Sequence, residues 1–290
     1  MTQGSLAMAG RTCLVTGATS GIGKATATGL ARLGADLVLV ARDPAKGQAT
    51  VAEIHAATGN PRVEVLLADL SSQASVRRAA EEYRRGHDRL HVLVNNAGGY
   101  WASRHVTVDG LELTFALNHL AYFLLTHLLL DLLRASAPAR VVNVTSGAQA
   151  AGDIHFDDLQ FEGRYRGQPA YNQSKLANVL FTYELARHLA GSGVTVNCVH
   201  PGVVRTNFGR DDMGSVMRLL TPLVRPFMRT PEQGADTPVW LASSPEVEGV
   251  TARYYARRRA RRSSRRSYDP ELARRLWRVS EELTGLRQPA

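Results

Sequence analysis

Thr12-Cys13-Leu14-Val15-Thr16-Gly17-Ala18-Thr19-Ser20-Gly21-Ile22-Gly23-Lys24 is the stretch that decides the architecture. Its first five residues are an apolar, β-branched run, glycines punctuate the segment from Gly17 to Gly23, and Ala25 to Leu33 are helix formers. Strand, glycine turn and helix in that order open a βαβ unit. Such a turn lets the backbone approach a pyrophosphate, while the helix start presents free N–H groups and a partial positive charge to it. Glycines also end strands for purely steric reasons, so the next strand is an independent test.

That strand, Asp36 to Val40, runs into Ala41-Arg42-Asp43. A site for NAD places a carboxylate at the end of this strand for the ribose 2′-OH, whereas an arginine accommodates a 2′-phosphate. Ala41 stands in the carboxylate's place and Arg42 follows, which points to NADP(H). The competing account makes Arg42 a loop residue paired with Asp43.

Further along, Arg62 to Leu67 alternates as a third strand and ends at Asp69-Leu70. Asp69 is placed to accept the adenine amino group or, alternatively, to cap the following helix. A helix from about Ser72 to Tyr83 leads to the strand His91 to Val94, which stops at Asn95-Asn96-Ala97-Gly98. One long helix is expected from about Asp109 to Arg134, carrying Asn118. The strand Arg140 to Val144 ends in Thr145-Ser146, and Val194 to Val199 ends in His200-Pro201-Gly202. Strands that end in polar or glycine-rich segments mark the edge at which open parallel sheets bind ligands. Between the last two, Tyr171-Asn172-Gln173-Ser174-Lys175 sets a phenol and an ammonium on one helix face, where the charge favours ionisation of the ring.

The strand and helix patterns alternate from Arg11 to about Tyr255 without a Pro/Ser-rich linker, so the 290 residues are expected to form a single α/β domain. Its core spans about 11–255, a variable substrate segment 203–235, and a basic loop with a final helix 256–290. No apolar run approaches the roughly 18 residues of a membrane span, and Met1 to Gly10 carries no export signal, so a soluble, cytoplasmic protein is expected. Cys13 and Cys198 fall in predicted central strands without metal-ligand spacing, which argues for neither a disulfide nor a metal. The net charge of +9 invites a nucleic-acid partner, yet Arg253 to Arg266 holds eight arginines and no acid, and the rest of the chain sums to +1. Arg257 to Arg266 lacks aromatic platforms for bases and reads as a solvated loop.

Taken together, the TGxxxGIG turn, NNAG, Asn118, Ser146, YxxxK and PG resemble the short-chain dehydrogenase/reductase family in its own order. Within it the chain looks most like the retinol dehydrogenase group and its bacterial relatives. Three segments carry that likeness: Thr114-Phe115-Ala116-Leu117-Asn118-His119-Leu120, Ser174-Lys175-Leu176-Ala177-Asn178, and Ala273-Arg274-Arg275-Leu276-Trp277 through Ser280 to Leu286. The interval from Ser146 to Tyr171 is 25 residues, extended as in that group. The resemblance implies a Rossmann-like, doubly wound parallel sheet in three α/β/α layers and a catalytic tetrad of Asn118, Ser146, Tyr171 and Lys175. It implies cofactor contacts from Gly17, Ser20, Gly21, Ile22 and Gly23 to the pyrophosphate and ribose, and from Arg42 to the 2′-phosphate. Asp69 and Leu70 would meet adenine, Asn96, Ala97 and Gly98 the adjoining ribose, and Pro201, Gly202, Val203 and Thr206 the nicotinamide. The counterpart of Lys175 holds the nicotinamide ribose, and that of Asn118 a water. Lys24 is expected either to assist or to face solvent.

The chemistry follows from the residue types. Ser146 can stabilise a developing oxyanion while Tyr171 gives or takes the proton. A free phenol is ionised to about one part in a thousand at neutral pH, so Lys175 is expected to lower its pKa by a few units. Ser146 as a cap, Asn118 as a satisfied helix residue and Tyr165 as the acid are the alternatives, the last disfavoured because Pro169 stands where a charge is needed. His119 and His200 receive no role. Gly99 replaces an aliphatic residue of the relatives and should leave space near the site, and Ala252 replaces a glycine. Tyr100, Trp101, Phe156, Phe208, Met213, Met217 and Phe227 offer an apolar lining, which suits a lipophilic or aromatic ketone, aldehyde or alcohol. The expected activity is NADP(H)-dependent carbonyl/alcohol interconversion, as in tailoring ketoreductases of secondary metabolism. The alternatives are a C=C reductase of the same fold or a non-catalytic NADP-sensing scaffold. The long helix and the Tyr171 helix have apolar faces that could pair two copies in a homodimer.

Overall fold

The computed structural model describes residues 6–204 and 228–286. Eight strands form one sheet in the order β3-β2-β1-β4-β5-β6-β7-β8. They are β1 (Thr12–Thr16), β2 (Asp36–Ala41), β3 (Val63–Leu67), β4 (Val92–Asn95), β5 (Ala139–Val144), β6 (Val194–Val199), β7 (Arg253–Ala256) and β8 (Arg259–Arg261). The first seven are parallel and β8 returns antiparallel to β7. The strand order reverses between β1 and β4, the position at which a doubly wound sheet opens a crevice.

Both faces of the sheet are covered, which is why the strands read as unbroken apolar runs. Leu14, Val38, Leu93 and Val141 point into one core. Their neighbours Cys13, Val15, Leu37, Leu39, Val94 and Val142 point into the other. Helices α1 (Gly21–Arg32) and α2 (Pro44–Thr58) and, further on, α8 (Pro231–Ser243) and α9 (Pro270–Leu283) alternate with the strands. Asp43 caps α2 by accepting the Lys46 N–H, and its C-terminal Gly59 is left-handed. Among the described residues no helix is long and apolar enough to cross a membrane.

Two expectations need correcting. The helix foreseen over about 109–134 is three pieces, α4 (Leu113–Phe115), α5 (Ala121–Leu128) and α6 (Leu130–Ala135), with a π-helical turn over Ala116–Leu120 and a break at Leu129. Glu112 starts the run late, because both its carboxylate oxygens accept N–H groups of the first turn, from Thr114 at 2.7 Å and Phe115 at 2.8 Å. The Arg257–Arg266 run is likewise not all loop. Arg257 and Arg258 turn the chain with φ of 53° and 56° into β8, whose three residues are exposed. Pairing with β7 supplies the backbone partners that the charge pattern did not forecast. Helix α3 (Gln73–Gly86) runs three residues beyond its expected end, and α7 (Gly167–His188) carries Tyr171 and Lys175.

Candidate active site

The carboxyl ends of β1, β4, β5 and β6 bring the candidate residues together. Thr16 at the end of β1 joins two of these ends, because its Oγ1 accepts the N–H of Asn96 at 2.8 Å and of Ala97 at 3.0 Å. The Asn96 side chain in turn donates to the carbonyls of Thr16 at 2.9 Å and Gly17 at 3.3 Å. A Cβ on Gly23 would lie 2.2 Å from the Gly17 oxygen, and one on Gly17 2.8 Å from the Ala97 Cα. These two glycines are therefore needed where the turn closes on residues 96–98, a demand internal to the protein. Ser20 stands at the N-cap of α1 without any side-chain hydrogen bond to the helix, so the first N–H groups of α1 remain available to an anion.

The π-helical turn presents Asn118. Its amide clamps Gly99, the Oδ1 accepting the Gly99 N–H at 2.8 Å and the Nδ2 donating to the Gly99 carbonyl at 2.9 Å, and it also donates to Ser174 Oγ at 3.0 Å. Ser146 follows β5 and accepts the Ala148 N–H at 3.2 Å, so capping is one of its tasks. It is also hydrogen-bonded to Tyr171, which pulls the phenol's pKa down against burial, the larger effect, which pushes it up. Lys175 lies one helical turn on and is almost wholly buried. Its Nζ reaches the Val144 carbonyl at 3.4 Å and stands 5.6 Å from the Tyr171 ring centroid. Burial lowers this amine to about 8. The net shift of the Tyr171 phenol is upward, with burial as its largest cause, and not the lowering expected from Lys175. Desolvation dominates both groups, and the ammonium faces a carbonyl.

A profile of the short chain dehydrogenase family matches residues 11–213. Human retinol dehydrogenase 14 is 44% identical over 296 residues, covering 96% of this chain and 88% of its own. The chain belongs to the short-chain dehydrogenase family. A crystal structure of a Mycobacterium paratuberculosis protein matches this dehydrogenase with a TM-score of 0.79 at 36% identity, covering 97% of this chain and 96% of that one. RhlG of Pseudomonas aeruginosa, solved as an NADP active-site complex, matches with a TM-score of 0.69 at 30% identity over 87% of this chain and 96% of its own. Membership and retinol dehydrogenase relatives make the chain an oxidoreductase acting on CH–OH and C=O groups with a nicotinamide cofactor.

Other residues of the dehydrogenase sort around this frame. Arg42 ends exposed after β2 and, among the described residues, has no ion-pair partner, since Asp43 is engaged in capping α2. Lys24 is ion-paired with Glu53. Asp69 Oδ1 accepts both the N–H of Ser71 at 3.0 Å and its hydroxyl at 2.7 Å, while Ser72, not Asp69, caps α3. The Leu70 side chain is buried in the core. The Pro201 carbonyl accepts from Arg229 at 2.8 Å, Gly202 is left-handed at φ 93°, and Val203 is exposed. Thr206, Phe208, Met213, Met217 and Phe227 lie outside the described residues. Phe156 packs beneath α9, with the Arg275 guanidinium 3.9 Å from its ring centroid.

Three structural roles were missed from the sequence. His200 Nδ1 accepts the Gly147 N–H at 2.9 Å and so fixes the turn bearing Ser146. Arg229 braces the Pro201–Val203 segment, its own N–H donating to the Val203 carbonyl at 2.9 Å. Tyr165 donates its hydroxyl hydrogen to the Trp101 carbonyl at 3.1 Å, which suits a strut and not the acid. All three act through contacts far apart in sequence, which no local motif announces. The space expected at Gly99 is filled: a Cβ there would lie 2.2 Å from the Trp101 indole.

Proposed function

We propose that the protein is an NADP(H)-dependent reductase of lipophilic or aromatic aldehydes and ketones, with Asn118, Ser146, Tyr171 and Lys175 as its catalytic residues. The observation that carries the reading is the convergence of the Ser146–Tyr171 hydrogen bond with a buried Lys175. An ammonium has three donors, and Lys175 uses one long hydrogen bond among the described residues. That leaves donors for the hydroxyls of a nicotinamide ribose. The uncapped start of α1, with Gly17, Ser20, Gly21, Ile22 and Gly23, fits the pyrophosphate. Arg42, which has no ion-pair partner among the described residues and follows Ala41 at the end of β2, fits a 2′-phosphate.

When bound, the nicotinamide supplies the hydride. Ser146 donates a hydrogen bond to the carbonyl oxygen of the substrate as negative charge gathers there. Tyr171 gives its proton to that oxygen, and the hydrogen bond from Ser146 favours the phenolate left behind against the burial that opposes it. Lys175 offers its remaining donors to the nicotinamide ribose, and Asn118 holds Gly99 and the wall beyond it. Residues 96–98, through their backbone, and Pro201, Gly202 and Val203 flank the cofactor in this reading. Tyr100, whose ring meets Tyr171 edge-on at 6.0 Å, supplies an apolar face for the substrate. Relatives named for retinol, a lipophilic alcohol, support that class.

The test is loss of NADPH absorbance with a panel of retinaldehyde, decanal, aryl ketones and enones. Tyr171→Phe should bind NADPH unchanged and lose about 10²- to 10⁴-fold in kcat. Undiminished turnover would refute the assignment of the acid, and turnover of enones alone would favour C=C reduction.

A further inference from the structure

Ser280, His119, Asn178 and Asn118 form one directed chain of hydrogen bonds from the last helix to the candidate active site. Ser280 Oγ on α9 lies 2.9 Å from His119 Nε2, His119 Nδ1 lies 3.3 Å from Asn178 Oδ1, and Asn178 Nδ2 donates to the Asn118 carbonyl at 2.8 Å. The direction follows from the donor inventory. Because the Asn178 nitrogen faces Asn118, its oxygen faces the imidazole and must accept, so Nδ1 carries the hydrogen. A neutral ring then accepts at Nε2, and the Ser280 hydroxyl donates. His119, Asn178 and Ser280 are all fully buried. Phe115, Phe123 and Phe181 surround the ring, and burial holds His119 down to about 4, so it stays neutral.

The far end of the chain is the π-helical turn, a local departure from the α-helix that places Asn118. Asn178 supplies a side-chain donor to the carbonyl of the same residue whose amide clamps the Gly99 N–H and C=O. The three segments that carry the retinol dehydrogenase likeness, 114–120, 174–178 and 273–286, therefore meet at one buried histidine.

We propose that Ser280 and His119 are positioning residues for the active site: through Asn178 they set the Asn118 turn, and thereby the Gly99–Trp101 wall. The catalytic consequence rests on the function proposed above, whereas the mechanical one does not. In the full chain, Ser280→Ala should speed hydrogen exchange of the Gly99 amide at least about tenfold while leaving the Val15 amide of β1 unchanged. With NADPH and retinaldehyde it should lower kcat about tenfold, with the KM for NADPH within twofold. In an Asn118→Ala background the same substitution should cost less than twofold, because the side chain that carries the relay on to Gly99 is gone. Unchanged Gly99 exchange, or an equal loss in both backgrounds, would overturn the relay. If the wild-type chain turns over no member of the carbonyl panel, the function reading fails and the exchange result still decides. Should Ser280→Ala not fold, Ser280→Cys, whose thiol is a much weaker donor, should move the Gly99 exchange and kcat in the same direction by a smaller factor, and no change in either would overturn the relay.

Discussion

Lys175 Nζ stands 5.6 Å from the centre of the Tyr171 ring, yet its hydrogen bond goes to the Val144 carbonyl at 3.4 Å. An almost fully buried amine held so loosely loses its proton near pH 8, against 10.5 when solvated. The sign for folding is unfavourable. Below pH 8 both states are protonated and the whole penalty is present; between about 8 and 10.5 only the unfolded chain keeps the proton, so stability rises with pH. At about 1.4 kcal/mol per pKa unit the penalty is on the order of 3 kcal/mol. Lys175→Met should therefore stabilise the protein at pH 7 by about 1–3 kcal/mol while abolishing turnover. Urea unfolding at pH 7 and pH 10.5 checks this, and the advantage should vanish at the higher pH. A destabilised variant at pH 7 would show that Lys175 is better satisfied than the geometry says.

Arg42 is expected to choose the cofactor. With Ala41 before it and Asp43 held by the Lys46 N–H at 3.1 Å, its guanidinium is the charge at the end of β2. Hydrogen bonds to charged groups contribute about 1.5–3 kcal/mol, or roughly 10- to 100-fold in affinity. Arg42→Ala should lower kcat/KM for NADPH by that factor and leave the value for NADH nearly unchanged. A preference for NADPH that survives the substitution means that the 2′-phosphate is read elsewhere.

The sheet was legible because strands buried on both faces are unbroken apolar runs, and β6 falls on Val194–Val199 as expected. Tyr171 and Lys175, one turn apart, needed only helical spacing. The features that stayed hidden depend on tertiary partners. The π-helical turn at Asn118 answers to hydrogen-bond partners on α7 and to Gly99, 19 residues away, and nothing in Ala116–Leu120 distinguishes it from ordinary helix. The glycines of the first turn were visible, but not that Gly23 is required by Asn96, whose Nδ2 a Cβ would approach to 2.4 Å. Charge alone also concealed β8, since Arg259–Arg261 gains its backbone partners only from β7.

Ala252 sits at φ 56°, a left-handed backbone before β7, with its N–H donating to the Val196 carbonyl at 2.8 Å. A residue with a Cβ pays about 1–2 kcal/mol there, part of which glycine returns as greater freedom of the unfolded chain. Ala252→Gly should accordingly raise stability by roughly 0.5–1 kcal/mol and the Tm by about 2 °C. The turn at Arg257 and Arg258, both left-handed, allows a second gain from Arg257→Asn with Arg258→Gly, the residues a hairpin of this kind prefers. Differential scanning calorimetry reads both. A lowered Tm for Ala252→Gly would mean that its methyl group packs better than its backbone is strained.

Gly99 and Trp101 act as a pair. A methyl group on Gly99 would fall 2.2, 2.6 and 2.8 Å from three indole carbons of Trp101, so the ring must leave. The clash is with the far end of a side chain, and the Gly99 backbone stays clamped by Asn118 through both its N–H and its carbonyl. Gly99→Val should therefore fold, with overpacking costing about 1–3 kcal/mol. Its tryptophan emission should shift to the red as the indole enters water. Because Tyr100, the neighbour of both residues, touches the Tyr171 ring, the displaced wall alters the carbonyl site and not the α1 turn. The KM for NADPH should hold within twofold, while relative kcat/KM for decanal and an aryl ketone changes about tenfold. Emission and substrate preference both unchanged would place the indole elsewhere than over Gly99 and remove Trp101 from the substrate wall.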